Sequence, residues 1–125
     1  FNGPMGCNTG FLRDDALLVG TLIDDGGDVD SLGTVSSWIQ ALRTAKHGDD
    51  DAYAVLVLTT DVDLGYMQKC HPEQYDPTPN RLRLLVKGVD HGFIGSICEE
   101  TYEQFFAETV DAVVDLCDSF APPPG

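Results

Sequence analysis

Two short runs constrain this chain more than any other feature. Ala16 to Ile23 reads ALLVGTLI and Ala52 to Leu58 reads AYAVLVL, each apolar almost without interruption and each followed by aspartates. A strand with one wet face alternates polar and apolar residues, whereas a strand covered on both faces does not. Both runs are therefore expected to be parallel strands inside a layered α/β structure. Between them, Val35 to His47 sets Val35, Trp38, Ile39 and Leu42 on one helical stripe, with Gln40, Arg43 and Lys46 facing away. Thr34 is the expected N-cap and Gly48 the expected C′ residue.

After the second run comes a long segment without periodicity, Asp61 to Thr78, which contains Cys70, Pro72 and Pro77. Loops of that length are usually functional or covalently pinned. Thr78 and Pro79 read as the N-cap and first residue of a helix carrying Leu82, Leu85, Val86 and Val89, punctuated by Gly88 and Gly92. A short strand, Phe93 to Ile97, precedes a helix from Glu99 to Phe120 whose expected inner stripe is Tyr102, Phe105, Phe106, Val110, Val113, Val114 and Cys117. Strand and helix alternate three times, which predicts an α/β fold: a three-layer, Rossmann-like arrangement with a parallel sheet and right-handed crossovers. Residues 1–15 read as an irregular lead-in, 16–120 as the domain and 121–125 as a Pro-rich tail. If the strands lie side by side, both connecting helices cover one face and the last helix stands alone on the other. That is little cover for two strands that look buried on both sides, so missing sequence or a partner is expected to supply the rest.

Charge narrows the partners. Twenty-one acidic residues against seven basic ones give a formal charge of −14, which argues against nucleic acid, because phosphate binding rests on Lys and Arg. No apolar run reaches the ~20 residues of a membrane-spanning helix. The chain starts at Phe1 without an apolar leader and reads as a fragment or a processed product.

The four cysteines, Cys7, Cys70, Cys98 and Cys117, have no CxxC or Cys/His spacing, which favours two disulfides and an oxidising, extracytoplasmic location. Cys98 and Cys117 bracket a helix, so they stand about 28 Å apart at ~1.5 Å per residue and cannot pair. Cys98 ends a strand at the sheet edge that also carries the Cys70 loop, whereas Cys117 returns to the edge where Cys7 precedes the first strand. The preferred pairing is Cys70 with Cys98 and Cys7 with Cys117, among three connectivities that four cysteines permit.

The stretch GFLRDDALLVGTLIDDGGD, the helix around WIQAL, the strand AVLVL and the block GFIGSICEETYEQFFAETVDAVVDLCDSF together resemble the second half of von Willebrand factor A-like domains of bacterial secreted proteins and lipoproteins. The resemblance implies protein-ligand recognition through Mg²⁺ or Ca²⁺ held at the carboxyl ends of the strands. In that family a DxSxS loop, a Thr and an Asp supply the ligands. Asp25 matches the metal-site Asp, and Asp24 stands where the family usually has Thr. Asp28 follows in the same loop, and the chain contains no DxSxS.

Independently of the family, Asp24, Asp25, Asp28 and Asp30, with Asp61 and Asp63, fall at the carboxyl edge, where open parallel sheets bind ligands. Clustered carboxylates there suit Mg²⁺ or Ca²⁺, or are solvated turn residues. Three functions follow as expectations. First is an exported, non-enzymatic binding or adhesion-type module whose partner is a protein ligand. Second is a structural piece that completes a larger domain, its partner being the missing half. Third is a magnesium-dependent phosphohydrolase resembling haloacid dehalogenases, with Asp61 as nucleophile and Asp63 as acid or base.

Overall fold

The computed structural model describes residues 9–124. Three strands, β1 (Leu18–Asp24), β2 (Tyr53–Thr59) and β3 (Gly92–Ser96), form one parallel sheet in the order β1-β2-β3. The crossovers carry α1 (Val35–Ala45) and α2 (Arg81–Lys87), and α3 (Glu103–Ser119) follows β3. This is the α/β, Rossmann-like layering expected from the alternation of strand and helix.

β2 is buried along its whole length, and its alternate side chains define the two layers. Tyr53, Val55 and Val57 pack with Leu82, Leu85 and Val86 of α2 and with Trp38, Ile39 and Leu42 of α1. Ala54 and Leu56 face the other way, onto Phe105, Val113 and Leu116 of α3. Gly95 of β3 permits the close approach of this second layer, because a Cβ there would lie 2.8 Å from both Leu58 and Phe105 side-chain carbons.

Local signals set the helix ends. Thr34 caps α1 as expected, in a capping box with Ser37. At the other end the left-handed C′ residue is His47, at φ 56°, followed by Gly48 at φ 84°. Gly48 N–H donates to Arg43 O and His47 N–H to Thr44 O, a Schellman pair with the glycine one place later than expected. Lys46, read as solvent-facing, is 4% exposed: its Nζ donates to Arg13 O and Ala16 O at 2.8 and 2.7 Å, pinning the lead-in under the end of α1. α2 begins after Asn80 rather than after Thr78, since the Asn80 side chain accepts from Leu82 N and Arg83 N.

Two expectations about burial are corrected. β1 is an edge strand in which Leu18 packs against the core but Val19 and Leu22 are each 40% exposed and Ile23 64% exposed. Register with β2 puts Leu18, Gly20 and Leu22 on the α1/α2 side and Val19, Thr21 and Ile23 on the α3 side. On α3, the residues turned inward are Phe105, Thr109, Val113 and Leu116, whereas Phe106, Val110, Val114 and Cys117 are exposed. An apolar helix stripe wider than one sheet contact leaves part of itself uncovered when the sheet has only three strands.

Candidate functional site

The loop after β1 is held by its backbone. Arg81, the first residue of α2, donates from Nη1 to Asp28 O and Ser31 O, both at 2.9 Å, and from Nη2 to Gly33 O. Its guanidinium also stacks 4.2 Å from the centre of the Trp38 ring, while Trp38 Nε1 donates to Leu32 O. At the root of the loop, Thr59 Oγ1 donates to Gly26 O at 2.7 Å and itself accepts from Asn80 Nδ2 at 3.0 Å.

The aspartates of this loop serve it in different ways. Asp24 Oδ1 accepts from Gly26 N at 3.0 Å, and Asp28, at φ 53°, accepts from Ser31 N at 3.3 Å, both local turn bonds. Asp25 is exposed, and its carboxylate makes no hydrogen bond to another described residue. Among the described residues these three do not converge on a common point within ligand reach. On their own, therefore, Asp24, Asp25 and Asp28 do not fit a Mg²⁺ or Ca²⁺ ion, which needs six or more oxygens around it.

Asp61 and Asp63 are structural anchors. Asp61 is 3% exposed and accepts from Lys69 N at 2.7 Å and Cys70 N at 3.0 Å. Burial pushes its carboxyl pKa up, but the N–H groups of Lys69 and Cys70 and the Ser96 hydroxyl outweigh that and hold it below the ordinary value. Asp63 receives the Arg83 Nε at 3.0 Å and the Asn80 N–H at 3.3 Å, with both ionic side chains nearly buried. Both carboxylates thus serve as acceptors for donors of the loop and of α2.

The long loop is short-tethered at its far side. Cys70 and Cys98 lie at disulfide distance, with Cα atoms 5.1 Å apart, as the edge argument expected. Beside them Lys69 and Glu99 form an exposed ion pair. Cys7 falls outside the described residues, and so does its pairing with Cys117. A polar hollow of about 310 Å³ opens between the end of β3 and α3, but its Gln104 is bonded to Glu108 and its Tyr102 hydroxyl to Ile97 O.

An uncommitted surface lies along β1. Its backbone pairs with β2 on one side and with no described strand on the other. Next to it an apolar groove of about 500 Å³ is lined by Leu18 and Leu22 of β1, Trp38 and Leu42 of α1, and Leu82 and Leu85 of α2. Sequence reasoning named the aspartates of this edge but missed Asn80, Arg81 and Arg83, which organise it. Nothing in local spacing marks the partners of these residues that lie 17 to 53 positions away.

These features define a class, a Rossmann-like α/β layer with a three-stranded parallel sheet in which β1 and β3 are the edge strands. Comparison with known proteins returns no matching family model, no similar curated protein and no similar solved structure.

Proposed function

We propose that the chain is the sheet-completing half of an exported, non-catalytic protein-binding domain of the von Willebrand factor A-like kind. The observation that carries this reading is β1: an all-parallel strand with a free backbone edge and exposed Val19, Leu22 and Ile23. Parallel strands occur almost only with both faces covered, and a strand with a free hydrophobic edge is a template for another strand. The apolar groove beneath Leu22 and the uncovered Phe106, Val110 and Val114 stripe extend the same demand for cover. Cys70 and Cys98 at disulfide distance, and the lack among the described residues of a helix able to cross a membrane, are compatible with export. Asp25, exposed beside β1 and bonded to no other described side chain, is the residue left to contribute to a site shared with added strands.

Sedimentation velocity over a concentration series, together with binding of an apolar dye, tests this reading on the full chain and on Ile23→Lys. The parent is expected to bind dye and to self-associate through the bare edge. Ile23→Lys should lose the self-association, while dye binding in the groove on the opposite face of β1 persists and thermal stability stays within about 0.5 kcal/mol, as at other exposed sites. A parent that is monomeric at all concentrations and binds no dye would remove the reading.

A further inference from the structure

Asp61, Cys70 and Cys98 each offer one ligand atom, and these three atoms lie within 4.8 Å of one another. Among the described residues this is the one group of His, Cys, Asp and Glu side chains so gathered. We propose that opening the Cys70–Cys98 bond by a thiol or phosphine reductant converts the trio into a binding site for a divalent ion of the zinc class. A phosphine supplies two electrons, takes an oxygen from water and leaves as its oxide, while the two protons of that water go to the sulfurs. With a thiol reductant, two equivalents deliver two electrons and two protons. The S–S bond breaks, two Cys thiols form, and the thiol reductant leaves as its own disulfide. Binding then releases both thiol protons, because thiolates are the ligands.

The geometry suits this second use. Tetrahedral zinc with Zn–S near 2.3 Å and Zn–O near 2.1 Å separates its sulfurs by about 3.8 Å and a sulfur from an oxygen by about 3.6 Å. Once the bond is open, the sulfurs have only to move apart and the carboxylate to close in slightly, from Cα atoms 5.1 Å apart. Supporting groups are already in place. The Asp61 carboxylate is oriented by the Lys69 and Cys70 N–H groups, and the Thr60 hydroxyl stands 3.6 Å from the Cys70 sulfur. Such outer contacts fix ligand direction. Burial sets the coordination number: Asp61 and Cys70 are buried and Cys98 is exposed, which leaves a fourth position open to water. Two thiolates with one carboxylate select Zn²⁺ over Mg²⁺ and Ca²⁺, which prefer oxygen throughout.

The test uses the full chain carrying Cys7→Ser and Cys117→Ser, so that only this pair can bind through sulfur. Oxidised and phosphine-reduced samples are titrated with Co²⁺, then with Zn²⁺, while Trp38 emission and far-ultraviolet circular dichroism report the fold. The reduced, folded chain is expected to take up one equivalent of Co²⁺ with a thiolate-to-cobalt charge-transfer band that Zn²⁺ displaces. The oxidised chain should show no such band. Asp61→Asn should weaken Zn²⁺ binding by at least about tenfold, the least that losing even a supporting contact costs. Absence of the band in the reduced chain overturns the proposal. So does an affinity that Asp61→Asn leaves unchanged, since that marks chelation by unfolded thiols.

Discussion

Replacing Asp63 with Ala separates a structural anchor from a catalytic acid. Its carboxylate receives Arg83 Nε at 3.0 Å and Asn80 N at 3.3 Å, and the Arg83 and Asp63 side chains are only 11% and 8% exposed. Truncation leaves a nearly buried guanidinium without its counter-charge, at about 1.5–3 kcal/mol for the charged bond, and one amide without an acceptor, at about 1–3 kcal/mol. The expected loss is therefore about 3–5 kcal/mol, the range typical of a broken buried ion pair. Arg83→Met should cost a similar amount, because it strands the carboxylate instead. The double variant Asp63→Ala/Arg83→Met removes both charges and should recover much of the loss. Urea titration followed by Trp38 fluorescence measures all four corners of the cycle; for a slope of about 1.5 kcal/mol/M, a 3 kcal/mol loss moves the midpoint by about 2 M. A loss below about 1 kcal/mol in Asp63→Ala, or no coupling between the two sites, would mean that the pair behaves as a surface contact and would refute the anchoring argument.

Three further outcomes are expected. Burial, then the bond to Asp50, raises the Tyr53 pKa above its ordinary value, so its contribution is complete below about pH 10, the unfolded value, and is lost as pH rises toward the folded one; alkaline unfolding followed by circular dichroism should show a steep loss in the parent that Tyr53→Phe lacks. Lys46→Met keeps the buried stem but strands Arg13 O and Ala16 O, which should cost about 2 kcal/mol and speed amide exchange around residues 13–17. Cys70→Ala/Cys98→Ala removes a link closing a 28-residue separation, worth about 3.5 kcal/mol by loop entropy, and thermal melting of the oxidised protein should register it.

The sheet was readable from the sequence because burial on both faces writes itself into β2 as an unbroken apolar run, AYAVLVL. β1 carries the same kind of run, yet the described fold gives it only one neighbour. Its sequence records the environment the strand requires, and the described residues supply half of it. Helix ends were legible where the signal is local, as at Thr34, and displaced where a competing cap wins, as Asn80 does over Thr78. Side-chain direction on α3 was misjudged because a broad apolar stripe does not say which part meets the sheet: Phe105 turns in and Phe106 out. The Cys70 and Cys98 pairing followed from strand polarity and helix length. The roles of Asp61 and Asp63 did not, because the groups that occupy their carboxylates come from a loop and from the next helix.

The ladder between β1 and β2 joins Leu18 to Tyr53 and Asp24 to Thr59, a span of 35 residues at every rung. Every rung closes a loop of the same length, so the entropy of chain closure has to be met before any sheet bond repays it. With no described strand on its outer side and Val19, Leu22 and Ile23 exposed, β1 is also a segment that opens at low cost. Local opening is expected to start there, well below the free energy of global unfolding, and to expose the otherwise dry flank of β2. The fold thus carries an exposed seam beside its best-buried strand, and cover laid across that seam would lengthen the life of the native state.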